Sequence, residues 1–310
     1  MKKVFALCLV LAGMLTQAAT GYASGADAEN AAAPKSTRAK MLVGTPVNVN
    51  IAGGGTLPKG KLLTVINASF ADKNRAKEGY TGSDVFSQAW LLKLRYGITN
   101  HLEMSATTPY INNTRTNPTP KPKHIEGFAD QVISLTYAFA NMHQGDPYAL
   151  SVSAGLMLPT GSEGSNHLPG VGAWGGRLQA GYAKFLTKDM RFDTEVAWSG
   201  PFERGNKKVK RGDQWQWNNQ LRYLFDVVDV GLESNLIHQE AGSMSLPNGG
   251  GTRNLRNSYT ELFAGPSVNV ALDAINAWAG VGAFFPVIQS YKAPTAAEDV
   301  RFEFKFAVLW

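Results

Sequence analysis

The sequence predicts an all-β fold: a transmembrane, antiparallel, up-and-down β-barrel of about 12 strands, with short periplasmic turns and long outer loops. Three observations carry this. Apolar residues alternate with polar ones in about a dozen segments, as a half-buried strand requires. The connections between segments alternate short and long in phase. The last segment, Val300 to Trp310, sets Phe302, Phe304, Phe306, Val308 and Trp310 on one parity and Arg301, Glu303 and Lys305 on the other. A strand wholly apolar on one face and charged on the other suits a wall between lipid and a lumen.

The chain is expected to divide into three parts. Lys2 and Lys3 precede an apolar run from Val4 to Leu15, and small residues follow, with cleavage zones ending at Ala23 or Ala28. This reads as a secretory signal peptide, taken as residues 1–23, because the run is shorter than the roughly 20 residues of a spanning helix. Cys8, the sole cysteine, lies inside it. The mature chain is therefore expected to have no disulfide and no thiolate metal site. Residues 24–60, rich in Ala, Gly, Pro and Asn, read as an N-terminal linker or plug. Residues 61–310 read as the barrel.

The alternating rows can be followed in order. Leu62 to Phe70 forms the first, Trp90 to Tyr96 the second, and Leu102, Met104 and Ala106 the third, after a tight connection at Gly97 to His101. Residues Ile111 to Glu126 read as a Pro-rich basic loop. Further rows run over Ile133 to Phe139, Tyr148 to Leu156, Trp174 to Tyr182, Phe192 to Trp198, Trp215 to Phe225, Val230 to Leu236, Leu262 to Val270 and Ala277 to Phe285. Tyr96, Tyr110, Tyr137, Tyr182, Trp198, Trp215 and Tyr223 lie near row ends, where amphipathic rings favour the headgroup level.

Composition agrees. Mean hydropathy is −0.17, which a barrel tolerates because alternation dilutes its apolar residues. The charged fraction is 17%, below the roughly 25% usual in soluble domains. The net charge of +6 is scattered or held in loops, which argues against a nucleic-acid partner.

Three segments carry a family resemblance: Tyr96-Gly97-Ile98-Thr99-Asn100-His101-Leu102-Glu103-Met104, Gly127-Phe128-Ala129-Asp130 ahead of Leu135-Thr136-Tyr137, and Leu158-Pro159-Thr160-Gly161. Together they resemble the MetA-pathway of phenol degradation family, over most of the chain after Leu57. Ala129 departs from the Gly expected there. The resemblance implies an outer-membrane barrel linked to uptake of aromatic or other hydrophobic compounds.

The polar parity supplies the pore-lining candidates: Lys93, Arg95, Glu103, Arg177, Asp193, Glu195, Arg222, Glu233, Arg301, Glu303 and Lys305, with Asp130 beside them. Their mixed signs suit either a salt-bridge network that fills the lumen or a charged pore. Phe306 and Trp310 are the candidate membrane-assembly signal, read by barrel-assembly machinery. Two outer loops are basic, one with Arg115, Lys121, Lys123 and His124, the other with Arg204, Lys207, Lys208, Lys210 and Arg211. They suit lipopolysaccharide phosphates or plain solvation.

Catalysis is not expected. Ser234 and His238 share a face, but the lipid-facing one; Glu163, His167, Glu240 and His238 have no spacing that demands convergence. Gly170-Val171-Gly172-Ala173-Trp174-Gly175 matches a dinucleotide fingerprint literally, but a strand pattern follows it where a helix is required. No cofactor and no metal ligand set is expected. The expected function is an outer-membrane channel that passes small hydrophobic or aromatic solutes by facilitated diffusion. The alternatives are a closed structural or surface-binding barrel and, third, a lipolytic enzyme. Apolar loop residues such as Leu168, Val171, Phe202 and Leu246 are candidates for a solute pocket.

Overall fold

The computed structural model describes residues 55–77, 84–115, 123–161, 170, 172–205, 209–225, 227–246 and 252–310. The signal peptide and most of the 24–60 segment lie outside the described residues, as do Lys121, Glu163, His167, Leu168, Val171, Lys207 and Lys208.

Twelve strands form the barrel: β1 (Leu62–Lys73), β2 (Val85–Gly97), β3 (Leu102–Arg115), β4 (Gln131–Ala140), β5 (Tyr148–Leu158), β6 (Gly175–Phe185), β7 (Met190–Pro201), β8 (Gln214–Leu224), β9 (Val228–Gln239), β10 (Tyr259–Leu272), β11 (Ala277–Tyr291) and β12 (Val300–Leu309). Every neighbour in sequence is an antiparallel neighbour in space. The one further pairing joins β1 to β12, from Leu63↔Leu309 to Asp72↔Val300, and closes the ring. Closure matters because no lipid-facing backbone group can be left unpaired. The strands run from 10 to 15 residues, enough for the roughly 9–11 that a tilted strand needs to cross a bilayer.

The parity is as the alternation requires. Along β12 the exposures are Phe302 47%, Glu303 0%, Phe304 46% and Lys305 3%. The apolar row faces outward and the charged row inward. Leu92, Leu135, Leu232 and Phe285 repeat the outward pattern around the ring.

One expectation is corrected. Ile111 to Glu126 is not simply a loop. β3 continues to Arg115, and Lys123–Phe128 pairs back on it from Tyr110↔Phe128 to Arg115↔Lys123. The two strands form a hairpin that rises beyond the β3–β4 pairing. Asn112, Asn113 and Thr114 hid it, since no apolar row marks an extension whose faces need not meet lipid. Smaller sheets also build the outer end. Arg75–Lys77 pairs with Thr295–Ala297, and Ser243–Ser245 lies between Val209–Lys210 and Thr252–Asn254.

The periplasmic end has an apolar floor. Leu63, Val65, Leu224, Ala271, Trp278 and Ala307 point inward there and surround Leu57, with Phe185 and Leu309 packed alongside. Leu57 is fully buried, which is worth about 2 kcal/mol for such a side chain. It comes from the segment ahead of β1, which the turn after β2 holds in place. Gly60 N donates to Gly97 O (2.7 Å), and Gly97 N donates to Lys61 O (3.0 Å). A Cβ at Gly97 would fall on the carbonyl oxygen of Pro58. Gly97→Ala is therefore expected to push residues 55–60 off the turn while the strands still pair. Limited proteolysis of the folded protein should then cut within 55–60, where the parent chain resists. Equal resistance in both would contradict this docking.

Candidate functional site

Inward polar side chains converge in the lumen, and its two halves are built differently. On the β7–β9 side it is filled. Arg191 pairs with Asp193 (2.5 Å), and Arg222 lies between Asp193 (3.6 Å) and Asp229 (3.4 Å). Asn269 Nδ2 donates to Asp229 (2.8 Å), Gln220 Nε2 to Glu233 (2.8 Å), and Gln179 Nε2 to Glu195 (2.8 Å). Asn235 donates to Asn218, which in turn donates to Glu195 (3.4 Å). Ions taken out of water cost several kcal/mol each unless partnered, and here carboxylates stand beside the guanidinium groups. Lys305 and Glu303 of β12 are also buried on the inward face. Nearer the outer end, Arg301 pairs with Glu298 (2.6 Å) and Glu303 (3.7 Å) and stacks 4.3 Å over the Phe263 ring.

On the β2–β6 side the lumen is open. A cavity of about 140 Å³ is lined there by Lys93, Arg95, Glu103 and Arg177, by Leu91 and Val132, and by the hydroxyls of three adjacent strands. Ser105 and Thr107 come from β3, Ser134 and Thr136 from β4, and Ser151 and Ser153 from β5. Register aligns them, with Ser105 opposite Ser134 and Thr136 opposite Ser153. Thr136 Oγ1 donates to Ser153 Oγ (3.1 Å). Small side chains leave space that Arg, Gln and Asn fill on the other side.

Glu103 ties the cavity to the floor. Arg95 clamps it with two bonds, Nε to Oε1 (2.6 Å) and Nη2 to Oε2 (2.8 Å). Leu57 N donates to Oε2 as well (2.9 Å), and Arg95 Nη2 also reaches Gly55 O (3.0 Å). Asn100 and Asn141 complete the clasp. Thr56 Oγ1 donates to Asn100 O (2.9 Å), Lys59 N to Asn100 Oδ1 (2.9 Å), and Asn141 Nδ2 to Thr56 Oγ1 (2.6 Å). Beside it, burial holds the His143 imidazole below its ordinary pKa.

The motifs noted in the sequence acquire physical roles. Gly97 to Glu103 is the turn that grips residues 55–61. Asp130 sits at the outer end, away from the charged cluster, and accepts from Gly161 N (3.0 Å) and Gly172 N (3.1 Å). Thr160 Oγ1 accepts from Gln131 N (3.1 Å). The second and third motifs thus join one another and pin both ends of the loop after β5.

The remaining candidates fall elsewhere. Ser234 Oγ accepts from Asn219 (3.4 Å), and the His238 Nδ1 contact is to Thr260 Oγ1 (2.8 Å) on the outward face. Neither bond joins the two. Among the described residues no cluster of His, Cys, Asp and Glu has the arrangement to hold a metal. Arg204, from one basic loop, donates to Thr252 of the next loop (3.0 Å). Glu298 went unnoticed in the sequence because it lies in a loop, yet it takes both Lys73 (3.7 Å) and Arg301. The hydroxyl array was also missed. Its signal was present as Ser105-x-Thr107, Ser134-x-Thr136 and Ser151-x-Ser153 on the inward parity of three consecutive strands.

The model of the MetA-pathway of phenol degradation family matches residues 49–285. The chain belongs to that family. The match spans β1 to most of β11 and includes the clasp, the hydroxyl array and the β7–β9 part of the filled half. A COG4313 outer membrane channel from Pseudomonas putida F1 shares the fold, with a TM-score of 0.66 at 14% identity, over 83% of this chain and 98% of that one. The β domain of the Bordetella autotransporter Brka is more distant, with a TM-score of 0.46 at 10% identity, over 80% and 99%. No curated protein matches the chain in sequence.

Family membership leaves the Arg95–Glu103 clamp open to direct test. Arg95→Leu or Glu103→Leu alone would strand a buried charge, and each is expected to cost about 3–5 kcal/mol. The double replacement should cost clearly less than their sum. Urea unfolding in lipid vesicles measures this; strict additivity would show that the clamp contributes nothing as a pair.

Proposed function

We propose that the protein is an outer-membrane channel for small aromatic or otherwise hydrophobic solutes, working by facilitated diffusion. The observation that carries this is the half-open lumen: a cavity on the β2–β6 side beside a wall of interlocked charges. A barrel built only as a scaffold has no need for that asymmetry. The channel description borne by the Pseudomonas putida structure, and the family's link to phenol degradation, support the same reading.

In this proposal outer loops admit the solute, the cavity holds it, and the floor controls its release. The 24–60 segment acts as the plug, with Leu57 as its apolar stopper and Glu103 as its latch. No energy source is needed, because metabolism inside the cell removes the solute. The basic outer loops face lipopolysaccharide phosphates, screened by salt as surface charges are. The protein has no enzymatic role in this scheme, since its polar groups bind and orient rather than react.

Planar-bilayer recording and liposome uptake test the channel. The full chain should pass phenol slowly, and a variant lacking residues 24–60 should pass it severalfold faster. If neither version gives conductance steps or uptake, the channel reading fails and a closed, surface-binding barrel replaces it.

Phe306 and Trp310 are proposed to serve assembly instead of transport. Phe306 lies on the lipid-facing row, and Trp310 Nε1 donates to Thr64 Oγ1 (3.2 Å) across the β1–β12 seam. Phe306→Ala and deletion of Trp310 should each lower the amount of folded barrel in the membrane, read as heat-modifiable protein on a gel. Normal levels with lost flux would contradict that role.

A further inference from the structure

Charge is balanced by contact on one side of the lumen and left unbalanced on the other. In the filled half, Arg191, Arg222 and Arg301 each stand within 4 Å of a carboxylate. Around the cavity the lining residues supply three cations, Lys93, Arg95 and Arg177, against the single carboxylate of Glu103. That carboxylate is already committed to Arg95 and to Leu57 N. Among the described residues Arg177 hydrogen-bonds to neutral oxygens, Gln179 Oε1 (3.3 Å) and Gln216 Oε1 (3.4 Å). Lys93 forms no hydrogen bond or ion pair with any described residue. Two cations therefore approach one cavity from β2 and β6 with no described carboxylate in ion-pair contact; Glu195 acts on both, and Glu103 on Lys93, only from farther off, in a setting where poorly partnered charge is costly.

We propose that this cavity binds the carboxylate of a small organic anion about one ring in size. Lys93 and Arg177 would take the carboxylate oxygens, with serine and threonine hydroxyls donating around them. Leu91 and Val132 would face the ring. The volume fits: about 140 Å³, against the roughly 150 Å³ of a cavity known to hold benzene. A bare inorganic ion would leave most of that space to water. The proposal deepens the channel reading by naming a solute class, aromatic acids over neutral aromatics.

Isothermal titration of the full, folded chain in detergent tests it, with benzoate, benzyl alcohol and inorganic phosphate as probes. Benzoate is expected to bind at least tenfold more tightly than benzyl alcohol or phosphate. Lys93→Gln and Arg177→Gln should each weaken benzoate by tenfold or more, while Lys93→Arg retains most of it. Equal binding of benzoate and benzyl alcohol overturns the proposal, as does full affinity in folded Lys93→Gln. Phosphate binding as tight as benzoate overturns the organic class. If a variant fails to fold, the comparison of probes on the parent chain still decides. Benzoate binding without any uptake into liposomes would sink the channel and leave the site standing. Uptake of phenol without preferential benzoate binding would do the reverse.

Discussion

Everything in this barrel depends on the seam between β1 and β12. Among the twelve barrel strands it is the one pairing not made between neighbours in order, and it runs without a register break from Leu63↔Leu309 to Asp72↔Val300. With the seam shut, every barrel strand has two partners and no hydrogen-bonding edge faces lipid. Closure also makes parity absolute. Once inside and outside are distinct, an alternating strand must send one row to each, and a slip of one residue would put Arg301, Glu303 and Lys305 into hydrocarbon.

Inside, the same parity meets two solutions to one problem. A ring of twelve strands is too wide for small side chains to fill. Around β7–β9 the space is occupied by Arg, Asp, Glu, Asn and Gln, which must then satisfy one another. Around β3–β5 it is left to Ser and Thr, whose hydroxyls need no countercharge. The first solution rigidifies a wall and the second leaves room. Lys93 and Arg177 stand on the boundary between them, which is why they carry charge without the carboxylate contacts of the wall.

Much of this was legible in the residues. Twelve rows of alternation gave the strands, and the phase of short and long connections gave the up-and-down order. Phe302 to Lys305 showed which face meets lipid. What escaped was whatever alternation does not encode. The hairpin above β3 and β4 has mixed polar faces, since it stands clear of the hydrocarbon. Glu298 acts from a loop across a distance that sequence spacing cannot express. Asp130 stands in the sequence beside the lumen charges, and its bonds from the backbone amides of Gly161 and Gly172 follow from loop geometry that alternation does not express. The open cavity was hidden because small polar residues look unremarkable one strand at a time.

The apolar floor joins the two ends of the barrel sequence. Leu57 precedes the first strand, and Ala307 and Leu309 end the last; all three belong to one packed cluster. The clasp that holds Leu57 is nearly complete by Asn141, since Arg95, Asn100 and Glu103 belong to the first two hairpins. The cluster is not complete until β11 and β12 supply Trp278, Ala307 and Leu309. A chain halted before its final strands would hold a latched but half-covered leucine over an unsealed opening. The floor is thus completed only by the strands whose pairing closes the cylinder.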